Sequence, residues 1–477
     1  MASAKSSVER PRFFRPESAS RPDPVRMHSL LDGVRSRLRP GAAEILLLER
    51  VRDSVFGRLH KVVPKSVEIG LMGSSAKGTS LKSNLELDIF LMVPTSMSHR
   101  EMGKKAVAWA RKAMRGCKTE LSYAQHPYLK AYVDGVKIDI VPCYKIERAE
   151  GMGSATDRSQ LHVKWVGERI RPAQQDDVRL LKQFLKSLGI YGAQSRVEGF
   201  SGYLCELLIL HYGSFVKTLE AAGEWKQPVL DPAGHHADPA ALRARFAGAA
   251  MVLIDPVDPE RNVSAVVSHT SFSRFILAAR GFLAKPGLSY FFKEKAVHDA
   301  KKLRSLIARR QTHTLVLSMP SPDEVEDVLW PQLRKTAHAL ISVLEQAQFR
   351  LLGHYFWADE TDSLILFELV DRELPAILLK KGPQVWHAKD VEAFIRTHEK
   401  AGALNFHLEH ERIVAVRMRM HRTPKEALEA ALREPARLGI PVPFARAMKK
   451  AKWGTALDLL QKAKWREVAS DYFTRRL

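Results

Sequence analysis

The sequence predicts a multidomain α/β (α+β) protein with a sheet-bearing head, a helical middle and a C-terminal α/β body ending in a helical, basic tail. Three patterns carry that expectation. Leu85-Glu86-Leu87-Asp88-Ile89 and Val136-Lys137-Ile138-Asp139-Ile140-Val141 alternate with period two, as strands with one apolar face do. "VRLLKQFLKSLG" (178–189) spaces its apolar residues by three and four and stops at a glycine, the mark of an amphipathic helix. From residue 312 the pattern reads strand 312–318, helix 329–347, strands 349–357 and 363–370, and a helix at 388–399. That order suggests a small two-layer α/β domain.

Along the chain, residues 1–26 are rich in Arg, Ser and Pro and lack either periodicity, so a disordered basic tail is expected, with Met27 as an alternative start. The head is expected over 27–153, a helix followed by the acid-bearing strands. A mainly helical domain covers 154–275, with a Pro-, Gly- and His-rich loop near 225–240, and 276–477 forms the body and tail. A length of 477 residues suits about three domains. Lys and Arg number 75 against 53 Asp and Glu, a formal charge of +22, which favours polyphosphate partners. No apolar run approaches the roughly 20 residues of a membrane span, so no membrane partner is expected. Three isolated cysteines, an odd count without C-x-x-C, argue against zinc ribbons and disulfides and for a reducing cytoplasm.

Glu86 and Asp88 share one strand face, which reads either as the solvated outer face of an edge strand or as a ligand site, since two adjacent carboxylates usually need a cation or water. Just upstream, Gly73-Ser74-Ser75-Ala76-Lys77-Gly78-Thr79 can turn backbone N–H groups and an ammonium toward phosphate, although it is not a Walker loop. Asp139 supplies a third acid, on the face of Lys137 and Val141. Three carboxylates on adjacent strands can hold two Mg²⁺ ions about 3.5–4 Å apart, one at an attacking hydroxyl and one at the leaving group, the chemistry of nucleotidyl transfer.

The spacing G-S-x₁₁-E-x-D with a strand Asp about fifty residues on resembles the nucleotidyltransferases of the DNA polymerase beta superfamily. Glu-x-Asp narrows the resemblance to the archaeal-type (class I) CCA-adding enzymes, the tRNA nucleotidyltransferases. "YAQHPYLKAYVDGVKIDIVPCYKI" (123–146), "SATDRSQLHVKWV" (154–166), 176–215 and "IDPVDPERNVSAVVS" (254–268) fit that family in order. "WPQLRK" and "GPQVW" extend the match more loosely to about 430.

The resemblance implies a polymerase-beta-like head with a mixed sheet. It also implies addition and repair of the tRNA 3′-terminal C-C-A from CTP and ATP. Glu86 and Asp88 would hold the phosphate side of both metals, and Asp139 the metal at the hydroxyl. Gly73, Ser74, Lys77, His162, Lys182 and Tyr191 would meet the triphosphate, and Arg261 the base edge. tRNA would be gripped through its acceptor and TΨC arms; a homodimer is left open. Two departures stand out: Gln125 replaces the usual acid beside His126, where the primer end is handled, and Lys77 replaces Arg, which loses the bidentate fork.

The run 293–310, "KEKAVHDAKKLRSLIARR", holds seven Lys or Arg against two acids. It reads either as a solvated helix face or, through Lys301, Lys302 and Arg304, as a tRNA-contacting surface. Two other function classes stay open on the residues alone: another nucleotidyltransferase of the superfamily (a poly(A) polymerase or a small-molecule nucleotidyltransferase), and a basic RNA-binding protein that has lost catalysis.

Overall fold

The computed structural model describes residues 23–123, 126–147, 156–292 and 298–474. They divide near residue 294 into two compact units.

The first unit begins with α1 (Pro24–Leu38), α2 (Ala42–His60), β1 (Glu68–Met72), the single turn α3 (Gly73–Ala76), β2 (Glu86–Val93), α4 (His99–Ala113), β3 (Lys118–Tyr123), β4 (Pro127–Val133) and β5 (Val136–Tyr144). The strands form one mixed sheet in the order β1-β2-β5-β4-β3, antiparallel throughout except for the parallel β2–β5 pair. One face is sealed: Leu87, Ile89, Ile138 and Ile140 pack with Val51, Val55 and Leu59 of α2 and Met102 and Ala106 of α4. The acids of β2 and β5 therefore stand on the other face.

The helical part follows as α5 (Arg158–Gly167), α6 (Pro172–Ser187), α7 (Gly202–Tyr212), α8 (Phe215–Glu224), β6 (Val229–Leu230), α9 (Pro239–Arg245), β7 (Val252–Asp255), β8 (Asp258–Asn262) and α10 (His269–Ala284). Its centre is aromatic: Phe184, Phe215, Phe282 and Phe291 meet edge-on or tilted at centroid distances of 5.7–5.8 Å, a favoured arrangement for ring quadrupoles.

Three expected boundaries shift, each for a physical reason. Helix starts at Pro24 rather than after residue 26, because Asp23 caps it, accepting from the Val25 N–H at 3.0 Å, with proline at the first helical position; residues 1–22 lie outside the described residues. Helix α1 packs on α6 through Leu31, Val34 and Leu38, and Arg35 bonds Asp177 at 2.9 Å, so it joins the helical core and not the head sheet. Residue 275 falls inside α10, and Phe291 is still part of that core, so the helical part runs on to 292.

The second unit comprises α11 (Ala300–Arg310), β9 (His313–Pro320), α12 (Glu326–Gln346), β10 (Leu351–Ala358), β11 (Asp362–Leu369), β12 (Ile377–Gln384), α13 (Ala388–Lys400), β13 (Ala403–Glu409), β14 (Arg412–Met418), α14 (Pro424–Ala431), α15 (Val442–Met448), β15 (Lys452–Gly454) and α16 (Ala463–Phe473). The expected strand-helix-strand-strand order from 312 is present. The domain is not two-layered, however. The β10-β11-β9-β15 sheet is covered on both faces, by α12 through Leu333 and Leu340 and by α11 and α16 through Leu303 and Val468. Nor is the end purely helical, since β12-β14-β13 make a further sheet.

Candidate active site

Register brings the acids together. In the parallel β2–β5 pair Glu86 lies opposite Lys137 and Asp88 opposite Asp139, and antiparallel pairing sets Met72 against Asp88. Gly73 follows at φ +66°, and a Cβ there would collide with the Asp88 carboxylate, so both backbone conformation and space demand glycine. Asp88 is pushed up to about 6, by burial first and then by the charges of Glu86 and Asp139, against the pull of Lys137 and Lys77. Asp139 Oδ1 is buried without a hydrogen-bond partner, while its Oδ2 accepts from Lys137 Nζ at 3.0 Å. The same ammonium donates to Glu86 Oε2 at 3.4 Å. Among the described residues no three Asp, Glu, His or Cys side chains already converge as a metal cage.

The turn after Gly73 is clamped from both sides. Ser75 Oγ donates to the Glu86 carbonyl at 2.6 Å, and the Ser74 carbonyl accepts the Thr79 N–H at 2.9 Å. Helix α6 then takes up the carbonyls that follow: Gln175 bonds that of Lys77 at 3.3 Å, Lys182 that of Thr79 at 3.1 Å, and Arg179 those of Ser80, at 2.9 Å, and Gly78. Lys77 and Lys182 do not reach into solvent. Both converge on Glu206 of α7, 1% exposed, at 2.5 and 3.4 Å, and Thr79 Oγ1 donates to it at 2.6 Å. Burial works against the Glu206 carboxylate, but Lys77 and Lys182 hold it below the ordinary glutamate range. Burial lowers Lys182 despite the same partner. The Tyr191 hydroxyl and the Lys182 side chain both lie beside Gly202, where an added Cβ would meet them at 3.1 and 3.5 Å.

A second cluster adjoins these residues. Asp255, wholly buried, accepts from His162 Nε2 at 2.9 Å, Tyr203 Oη at 3.0 Å and Arg261 Nη1 at 2.7 Å. Burial alone would raise its carboxyl; His162, the Val257 N–H and Arg261 bring it instead to about 2. His162 stacks on Tyr203 at 3.8 Å, and burial lowers its imidazole. Lys77 connects the clusters, its ammonium 5.6 Å from the Tyr203 ring centroid.

Gly73, Ser74, Lys77, Glu86, Asp88, Asp139, His162, Lys182, Tyr191 and Arg261 thus all lie in the first unit, along linked contacts. His126 stands apart in the head, stacked on His99 at 5.2 Å, its Nε2 buried without a hydrogen-bond partner; Gln125 lies outside the described residues. Lys301, Lys302 and Arg304 are exposed on α11 of the second unit, whose buried side carries Leu303 and Ile307. Among the described residues no helix is long and apolar enough to cross a membrane.

Sequence reasoning assigned nothing to Glu206, Tyr203 or Lys137. Glu206 did leave a trace, as the only acid in the apolar helix GYLCELLILHY, where an unpaired carboxylate would be costly. A cavity of about 470 Å³ touches Ser75 and Gly78 from behind, but its floor is Leu71 and Leu87, on the face away from the carboxylates.

Comparison with known families meets this geometry in three consecutive stretches. The nucleotidyltransferase domain matches residues 54–163, the second domain of tRNA nucleotidyltransferase 176–292, and the C-terminal domain of the CCA-adding enzyme 310–446. The chain is 35% identical to a CCA-adding enzyme of Methanothermobacter thermautotrophicus over 435 residues, covering 89% of this chain and 92% of that one. It is 36% identical to the CCA-adding enzyme of Methanocaldococcus jannaschii over 78% of this chain and 85% of that one. The figure is 38% for that of Pyrobaculum neutrophilum, over 73% and 79%. The acid-bearing strands and the turn beside them sit within the nucleotidyltransferase match, the relatives match 73–89% of the chain, and the chain belongs to the family of archaeal CCA-adding enzymes.

Proposed function

We infer that this chain builds and repairs the 3′-terminal C-C-A of tRNA from CTP and ATP without a template. The primer 3′-hydroxyl attacks the α-phosphate and pyrophosphate leaves. The observation that carries the reading is the face shared by Glu86, Asp88 and Asp139 beside the Gly73–Lys77 turn.

Nucleotidyltransferase domains generally work with a divalent metal, and the residues fit Mg²⁺: three hard carboxylates, one of them with a buried oxygen lacking any donor. Held there, the ions would supply an activated hydroxyl and neutralise the triphosphate. The chain's own side chains do the rest. Lys77 exchanges Glu206 for a phosphate oxygen, while Gly73 and Ser74 let the backbone approach the triphosphate. Lys182 and Tyr191 line its other side. His162 turns Nε2 to Asp255 and keeps Nδ1 for the nucleotide. Arg261, anchored by one nitrogen on Asp255, has donors left for the edge of C or A. His126 lies toward the primer end. Lys301, Lys302 and Arg304 hold RNA phosphates, and the acceptor and TΨC arms are read as an A-form stack through phosphates and 2′-hydroxyls. The three cysteines are free, in keeping with a cytoplasmic setting.

The test is to incubate the purified chain with tRNA lacking its C-C-A and with single labelled nucleotides. CTP should add two residues, ATP one residue once both C are present, and UTP and GTP none. Long homopolymer tails, or no extension, would overturn the reading.

A further inference from the structure

Lys137 belongs to no part of the mechanism described, yet it sits where a metal-binding face has least room for it. Its Nζ lies 3.0 Å from Asp139 Oδ2 and 3.4 Å from Glu86 Oε2, bridging carboxylates on two adjacent strands. Its backbone is fixed by register opposite Glu86. Its long side chain is about one-third exposed and free to withdraw into water.

Three carboxylates crowded on one face repel one another, and a cation between two of them relieves that repulsion. An ammonium does so with one charge and with hydrogen bonds. A divalent ion does it with two charges and takes the same oxygens. Both cannot occupy those oxygens at once.

We propose that Lys137 is a resident counter-ion, a positioning residue that neutralises the Glu86–Asp139 pair until a divalent cation displaces it, and so sets how tightly the free protein binds metal. The proposal rests on the metal-binding reading of the three acids. It fits the lack of a ready-made cage among the described residues, since Glu86 and Asp139 each turn an oxygen to the ammonium. It also accounts for Asp139 Oδ1, left without a donor while Oδ2 is engaged. Displacement adds a cost to every binding of bare metal. The free enzyme thus binds metal weakly and receives it most readily with a triphosphate, whose own charges share the ion.

The experiment compares the full chain with Lys137→Met, Lys137→Gln and Lys137→Arg. Mn²⁺ binding is followed by electron paramagnetic resonance without nucleotide, and melting temperature is read with chelator and with saturating Mn²⁺. Met and Gln should tighten Mn²⁺ binding about tenfold, a fraction of the pair attraction because the wild-type ammonium escapes to water. They should also lower the melting temperature of the metal-free protein and enlarge its rise on adding Mn²⁺. Arg, which keeps the charge, should behave as wild type. Unchanged or weaker Mn²⁺ affinity in both neutral variants would overturn the role of Lys137 alone. Asp139→Asn distinguishes the deeper failure: if it left Mn²⁺ binding intact, the acids would not be the metal site, and the proposed function would fall with the proposal.

Discussion

Asp255→Asn is the perturbation whose size follows most directly from the structure. The carboxyl is wholly buried and held at about 2 by His162, the Val257 N–H and Arg261, against the opposing effect of burial. In an unfolded chain it would titrate near 3.9. The folded value is the lower one, so the stabilisation is complete above pH 4 to 5 and fades as pH falls toward 2. At about 1.4 kcal/mol per unit, a depression of nearly two units corresponds to roughly 2.5 kcal/mol at neutral pH. About 1 kcal/mol of it should be gone by pH 3. Asparagine keeps the shape but leaves Arg261 without a counter-charge and His162 with a weaker acceptor, so the neutral-pH loss should be about 2–4 kcal/mol. Urea unfolding of wild type and variant at pH 7, 4.5, 3.5 and 3 measures the gap, which should hold to pH 4.5 and then narrow. A gap under 0.5 kcal/mol, or one that does not change with pH, would refute the ionised, triply bonded Asp255 as the post of this cluster.

Other outcomes follow from the same side chains. Arg261→Ala should erode discrimination of CTP and ATP from UTP and GTP by about ten- to a hundredfold, the worth of a bidentate base contact of roughly 1–3 kcal/mol; single-nucleotide incorporation kinetics check it, and equal loss for all four nucleotides would make Arg261 a phosphate or structural residue. Gly73→Ala should push the Asp88 carboxylate out of place and strain a positive-φ backbone, lowering kcat by at least about tenfold while tRNA affinity, read by filter binding, stays put. Replacing Lys301, Lys302 and Arg304 together with Ala should raise the RNA KM with little change in kcat. The slope of log affinity against log salt should also become shallower, by about one for each phosphate no longer held.

Much of this was legible in the sequence where neighbours along the chain determine the outcome. The period-two strands put the acids on one face, and α6 contains the apolar-spaced stretch from Val178, although it begins earlier, at Pro172. What was not legible depends on partners far apart. Glu206 meets Lys77 across 129 positions, and Arg35 meets Asp177 across 142, which carries α1 to the helical core. No local pattern records either. Strand β12 was hidden for another reason: Lys380-Lys381-Gly382-Pro383 breaks its alternation, and glycine and proline inside a run argue against a strand. Of the site, the acids and the glycine turn could be read directly. The anchoring of Lys77, Lys182 and Arg261 on Glu206 and Asp255 could not, because burial decides it.

The central claim is that Glu86, Asp88 and Asp139 carry out nucleotidyl transfer onto tRNA, and Asp88→Asn tests it most directly. Asp88 lies opposite both Met72 and Asp139 on the shared face, and asparagine preserves its volume while removing a metal ligand. Labelled CTP and ATP incorporation into tRNA lacking C-C-A should disappear for both nucleotides, while the Kd for tRNA, set by basic surface, stays within about twofold of wild type. Incorporation of C or A at the wild-type rate by a folded Asp88→Asn protein would contradict the account.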